Sequence, residues 1–331
     1  MRRTSLSIII LIAMVLLPGG MLAMFLPSPA AAKDSGLVAR QGTLDAGGVS
    51  LWYRIAGAAD GETVIFLHGG PGQGSQTFAR FAGPVLERNL RMVYLDQRGS
   101  GRSDRPSGQG FYSIDRLVED IELLRLALGK DRVSLIGHSF GSILAIEYAA
   151  RYPLHVNRIV LAAAVPDLPA LFDAQCERLA KSDPDAYSRA AERRIPGSAA
   201  RCNPLAAYEG SAMRAYIDRN MHPDPRIARQ VEETDTADGL GNTGELAGAL
   251  FEQGLAGYRF TRTHEVRAPV LVIAGSADFQ AVIGPQRRLV DQLPDATLLE
   301  YRGRGHFMFV EDPQRFATDV VAFLSGSPLG R

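Results

Sequence analysis

Cysteine is scarce in this sequence: 331 residues contain two, Cys176 and Cys202. A structural zinc site takes four ligands at short spacings, and this pair cannot supply one. An excess of either charge is also missing. Lysine plus arginine number 36, as do aspartate plus glutamate. No basic run occurs, so the positive field needed to bind nucleic acid is absent. No internal repeat or low-complexity tract is present. Long apolar runs, finally, are confined to the N-terminus. There Met1-Arg2-Arg3 precedes the apolar run 8–17, Pro18-Gly19-Gly20 interrupts it, and residues 21–26 resume it. Ala30-Ala31-Ala32 then offers a small-residue cleavage site before Lys33.

Residues 1–32 are therefore expected to form a signal peptide. The alternative is an uncleaved anchor, because residues 4–32 carry no charge and could span a bilayer if helical. Ser5 occupies a place where a twin-arginine signal wants an apolar residue, which favours Sec export. The working part of the chain is expected in the periplasm or outside the cell, meeting a membrane only through an uncleaved N-terminus. Without residues 1–32, which hold Arg2 and Arg3 and no other charge, 34 basic face 36 acidic residues, a net charge of −2. In an oxidising compartment Cys176 and Cys202 can pair, and closing that loop is worth about 3 to 4 kcal/mol. The alternative is two buried thiols.

What is present is a rhythm of strands and helices. Residues 49–55 alternate as a strand, after a turn at Asp45-Ala46-Gly47-Gly48. Short apolar runs at 63–67 and 91–95 follow. Helical spacing covers 114–128, with Ser113 placed to cap it and Gly129 to end it. Then come a strand at 133–136, a helix at 140–152 and a strand at 158–165. After a long segment without strong strands, the pattern resumes with strands at 270–274 and 296–301 and helices at 285–292 and 313–324. This alternation predicts an α/β fold with a mostly parallel central sheet and helices on both faces. The expected organisation is a core of residues 36–165 and 266–325, with residues 166–265 forming a helical lid inserted after the sixth strand.

Gly137-His138-Ser139-Phe140-Gly141 fits G-x-S-x-G, directly after a strand and before a helix, which is the context that motif needs. A serine hydroxyl is a weak nucleophile, so a base must take its proton and an acid must orient that base. His306, in the loop after the last predicted strand, is the candidate base, and Asp278, after the strand at 270–274, is the candidate acid. The chain order Ser139, Asp278, His306 is that of the α/β-hydrolase fold. His68-Gly69-Gly70-Pro71-Gly72 follows the third strand. Its bare backbone suits an oxyanion hole made by the N–H groups of Gly70 and Phe140. A phosphate loop is disfavoured by Gly70-Pro71 and by the lack of a G-x-G-x-x-G helix start. No metal or organic cofactor is implied, since a triad and backbone donors suffice for acyl transfer.

The stretches at 68–72 (HGGPG), 96–103 (DQRGSGRS) and 137–142 (GHSFGS) together resemble the proline iminopeptidases, α/β-hydrolases that remove an N-terminal residue from short peptides. The resemblance covers nearly the whole catalytic core in order. It implies a small peptide substrate and a structural part for Asp96 and Arg98. It also implies lid carboxylates that hold the substrate's ammonium in a partly desolvated pocket. Glu209, in Tyr208-Glu209-Gly210, and Glu252, in Ala249-Leu250-Phe251-Glu252-Gln253, match the family's segments. One departure is that His138 and Phe140 stand where the family usually has Gly and Trp. GHSxG is common among esterases and carbon–carbon bond hydrolases, so an esterase or other acyl hydrolase on the same triad is the first alternative. A non-catalytic binding protein on this scaffold is the second, disfavoured because no expected catalytic residue is missing. Ser139 argues against epoxide hydrolase and dehalogenase chemistry, which need a carboxylate nucleophile.

Overall fold

A computed structural model of the chain describes residues 37–329; the segment read as a signal peptide lies outside them. The strands are β1 (Leu37–Asp45), β2 (Ser50–Ala58), β3 (Glu62–Leu67), β4 (Leu90–Leu95), β5 (Val133–His138), β6 (Val156–Ala162), β7 (Val270–Gly275) and β8 (Ala296–Tyr301). They form one eight-stranded sheet in the order β1-β2-β4-β3-β5-β6-β7-β8. β1 and β2 pair antiparallel, as do β2 and β4, and every later pair is parallel. This is the α/β-hydrolase sheet. β5 is buried at every position, as a central parallel strand covered on both faces must be.

Helices α1 (Gln76–Phe81) and α2 (Gly83–Leu86) follow β3, and α3 (Ile114–Ala127) and α4 (Phe140–Arg151) flank β5 in the chain. Ser113 caps α3 as its sequence predicts, accepting the Arg116 N–H at 3.1 Å. Leu117, Val118, Ile121 and Leu124 form the buried stripe of α3. Between β6 and β7 the chain is helical: α5 (Leu168–Ser182), α6 (Pro184–Ala191), α7 (Gly210–Met221), α8 (Pro225–Thr236) and α9 (Glu245–Glu252). α10 (Ile283–Gln292), α11 (Met308–Glu311) and α12 (Pro313–Leu324) complete the chain. Asp-Pro pairs start three of these helices. Asp183, Asp224 and Asp312 each accept a backbone N–H from the first turn, while the proline has no N–H to leave unpaired.

Aromatic packing ties the start of the chain to its end. Phe66 on β3 stacks on Phe78 of α1 at 3.7 Å, and Phe78 meets Phe309 of α11 and Phe316 of α12. In the helical segment a smaller cluster gathers Leu179, Ala186, Ala190 and Tyr216 around a Cys176–Cys202 disulfide. Of the two readings of the cysteines, the structure shows the pair.

The 96–103 stretch is a polar knot that fixes the loop after β4. The fully buried Asp96 accepts the Ser75 N–H and hydroxyl through Oδ1, and the Arg102 N–H and guanidinium through Oδ2. Ser103 donates to the Asp96 carbonyl and accepts the Trp52 N–H. A Cβ on Gly101 would lie 2.3 Å from Asp96 Oδ2, so only glycine fits there. Arg98 turns the other way and grips Asp120 of α3 through Nε at 2.7 Å and Nη2 at 2.5 Å. Both side chains act inside the scaffold.

Candidate active site

The serine stands on a forced turn. β5 ends at His138, and Ser139 takes φ 52°, ψ −120° before α4 begins at Phe140. That conformation costs a non-glycine residue roughly 1–3 kcal/mol and persists only where its surroundings impose it. Here the surroundings are backbone. A Cβ on Gly137 would sit 2.5 Å from the Gly141 carbonyl oxygen, and one on Gly141 would sit 2.1 Å from that of Leu67. The two glycines of G-x-S-x-G thus let α4 and β3 close around the turn. Ser142 locks it by donating to the Ser139 carbonyl at 2.6 Å while accepting the Val165 N–H.

Asp278 and His306 meet in the buried interior. His306 Nδ1 lies 2.8 Å from Asp278 Oδ2, and both residues are 2% exposed. The other oxygen, Oδ1, accepts the N–H groups of Gln280 and Ala281. An ionised carboxylate only accepts, so Nδ1 carries the hydrogen of a neutral imidazole and Nε2 keeps its lone pair. A base in that tautomer can take a hydroxyl proton.

His138 ties His306 to the serine turn. Its Nε2 donates to the His306 carbonyl at 3.0 Å, across 168 positions of sequence, and its ring packs 4.9 Å from that of His306. Burial, and secondarily the neighbouring His306, hold its pKa well below the usual imidazole range, so it stays neutral. His68 is likewise a neutral structural group. Its Nε2 accepts the Gln97 N–H at 3.0 Å, which leaves Nδ1–H to donate to the Gly69 carbonyl at 2.9 Å. Burial lowers its pKa, against smaller opposing pulls from Asp96 and that carbonyl.

The loop after His68 runs against the serine. A Cβ on Gly69 would lie 3.0 Å from Ser139 Cβ and 3.1 Å from His138 Nδ1. Gly70 has φ 115°, and a Cβ there would press on the Gly72 N–H nitrogen at 2.6 Å. Phe140 is the first residue of α4, where backbone N–H groups have no carbonyl partner within the helix. The helical segment between β6 and β7 bears on the loops that carry Asp278 and His306. The Asn220 carbonyl accepts the Phe279 N–H and the Met221 carbonyl accepts the His306 N–H, each at 2.8 Å. His222, next in line, stacks on Phe307 at 5.1 Å. Burial first and His306 second push its pKa down to about 4.

The structure places the two lid glutamates at the surface. Glu209 precedes α7 with its side chain 86% exposed and 4.0 Å from Arg193. Glu252 is exposed at the end of α9. Glu252 lines a surface cleft with Arg105, Tyr112 and Glu245. A short matching stretch identifies a residue type, but the direction it faces depends on how its helix packs.

A strained serine between a parallel strand and a helix, against a glycine loop and linked through His138 to an Asp–His pair, defines a class of protein. Residues 62–313 match the family described as alpha/beta hydrolase fold, and the chain belongs to that family. Within it, the chain is similar to proline iminopeptidases. That of Saccharolobus solfataricus is 32% identical over 142 residues, 43% of this chain and 44% of that protein, so the match spans under half of that relative's length. That of Lactobacillus delbrueckii subsp. lactis is 27% identical over 276 residues, 80% of this chain and 91% of that one. A putative carbamate hydrolase from a Caulobacter species is 28% identical over 87% of this chain and 98% of its own. Among solved structures, a proline iminopeptidase-related protein from Thermus thermophilus superposes with TM-score 0.70 at 26% identity, covering 87% of this chain and 98% of that one.

Proposed function

We propose that this chain is an exported serine hydrolase of the proline iminopeptidase kind, releasing the N-terminal residue of short peptides through an acyl-enzyme on Ser139. The observation that carries the reading is the Asp278–His306 hydrogen bond, which leaves the imidazole's other nitrogen free to act as base and which is joined to the strained serine turn through His138. His306 Nε2 takes the Ser139 hydroxyl proton as Oγ bonds to the scissile carbonyl carbon. Asp278 stabilises the imidazolium that forms. The N–H groups of Gly70 and Phe140 receive the oxyanion, each such donor being worth on the order of 3 to 4 kcal/mol. The imidazolium then gives its proton to the leaving amine, and water releases the acyl group by the reverse sequence. Export is supported by the N-terminal segment and by the disulfide, which suits an oxidising compartment.

A second reading is an esterase or other acyl hydrolase on the same residues. The exposure of Glu209 and Glu252 favours it, because a solvated carboxylate selects poorly for a free amine. Rates on a proline aryl-amide, its N-acetylated form and a short-chain aryl ester separate the two, with Ser139→Ala as blank. Cleavage restricted to the free-amine amide supports the aminopeptidase. Ester cleavage indifferent to a free amine overturns it and leaves the esterase.

A further inference from the structure

The loop read as the oxyanion loop contains four glycines in six residues, at 69, 70, 72 and 74. Such a backbone has many accessible conformations, so something outside the loop must hold it. Side chains from the inserted helical segment do so at three points. Asp235, near the end of α8, accepts the Thr77 hydroxyl on Oδ1 and the Gln73 side-chain amide on Oδ2 at 3.2 Å. The Gln76 amide reaches the Asp235 carbonyl at 3.2 Å. Asn242 donates from Nδ2 to the Pro71 carbonyl at 2.8 Å. Its Oδ1 fills the space beside Gly72, where a Cβ would lie 2.4 Å away.

Gln73 connects this tether to the chemistry. A Cβ on Gly69 would touch Gln73 Oε1 at 3.2 Å and Ser139 Cβ at 3.0 Å. Asp235, Gln73, Gly69 and Ser139 are therefore neighbours in series. Both side-chain donors to Asp235 are neutral, and burial pushes its carboxyl up to about 6. A surface carboxylate kept for solubility has neither property. We propose that Asp235 and Asn242 are positioning residues that hold the 69–77 loop, and with it the Gly70 N–H, in register with Ser139. Docking of the helical segment and alignment of the oxyanion donor are then the same event. The inference rests on the reading of Gly70 as an oxyanion donor.

The test uses the full chain with Asp235→Ala, Asn242→Ala and Asp235→Asn. For each, kcat and KM are measured on the best substrate found, with the inhibition constant of an alkylboronic acid. The boronic acid bonds to the serine oxygen and places a tetrahedral oxygen in the hole, so its affinity reports the donor geometry. Misplacing a reacting group by an ångström can cost on the order of 100-fold. Loss of one tether of several is expected to lower kcat about tenfold in each alanine variant. The boronic acid should weaken by the same factor, while KM moves less than about threefold. Asp235→Asn keeps an acceptor for Thr77 and, with the Gln73 amide turned over so that its oxygen accepts the new NH2, a partner for Gln73, and should recover to within about twofold of wild type. A rise in KM alone would overturn the proposal, as would alanine variants that bind the boronic acid as wild type does. Asp235→Asn as impaired as the alanine variant would overturn it too. If wild type itself fails to bind the boronic acid, the serine-hydrolase reading falls with it; if wild type binds and the variants are unchanged, the tether alone is refuted.

Discussion

Replacing Arg98 by methionine strands a buried acid. The Arg98 side chain is 5% exposed and that of Asp120 2%, and their two hydrogen bonds are the charge-assisted, two-pronged kind. Arg98 also donates to the Phe111 carbonyl at 3.0 Å. Burial already raises the Asp120 pKa against the pull of the guanidinium. Without that guanidinium the carboxyl must take up a proton or remain charged in an apolar site. Breaking a buried pair from one side costs roughly 3–5 kcal/mol, and removing both partners for apolar groups of similar size costs far less. Arg98→Met should therefore lose about 4 kcal/mol, and Arg98→Met/Asp120→Leu about 1–2 kcal/mol. Urea unfolding of both variants, the Asp120→Leu single variant and wild type closes the cycle, with unchanged m-values certifying the comparison. The Arg98→Met deficit should also shrink at acid pH, where protonation removes the stranded charge. If the two single losses simply add in the double variant, the pair is not coupled and the reasoning about this knot fails.

Other consequences follow from the same geometry. Replacing Cys176 and Cys202 with alanine opens a loop of sequence separation 26, which should lower stability by about 3.5 kcal/mol on the chain-entropy account. Thermal melts should then show wild type under reductant approaching the variant. Gly141→Ala drives a Cβ into the backbone oxygens of Leu67 and His68, so soluble protein should be lost or activity should fall more than about 100-fold. A near-normal variant would mean that the serine turn is looser than described. His222 prefers to be neutral in the folded chain, with a pKa near 4 against 6.5 unfolded. Its contribution is whole above pH 6.5 and is lost as pH falls towards 4, at most about 3 kcal/mol. Urea midpoints at pH 7 and 4.5 should fall further apart in wild type than in His222→Asn, and equal gaps would contradict the assignment.

Much of the fold could be read from local pattern because its strands are short, apolar and bounded by turn chemistry. Ser113, Gly129 and the run before Gly137 mark their boundaries in the letters themselves. Pairing is different. The short turn at 45–48 can join only antiparallel strands, but nothing in residues 37–58 says that this pair lies at one edge of the sheet beside β4, because that order comes from packing across the sheet. The apolar pattern places β6 over 158–165, whereas the strand runs Val156–Ala162. The apolar run continues through Val165, but Ala163 turns to φ 51° and leaves the ladder. The short helices α1, α2 and α11 leave no mark in the sequence pattern, since one or two turns carry too little periodicity to detect.

The site divides along the same line. The glycines around Ser139 reveal themselves locally, because a bare backbone turn needs them at adjacent positions. His138 does not, because its partner is the carbonyl of His306, 168 residues away. Asp235 and Asn242 sit in no motif, and only the packing of the helical segment shows what they hold. Glu209 and Glu252 lie in matching stretches, but the exposure of each is set by how the helical segment packs, which no short stretch encodes.

The central claim is that Ser139 is the nucleophile, and trapping the covalent intermediate tests it most directly. Rapid mixing with an activated aryl ester, an acid quench, and intact-mass analysis with peptide mapping locate any acyl group. One acyl group per chain on the peptide carrying Ser139, absent from Ser139→Ala, is the predicted result. Turnover that survives in Ser139→Ala, or an acyl group mapped elsewhere, would contradict the account.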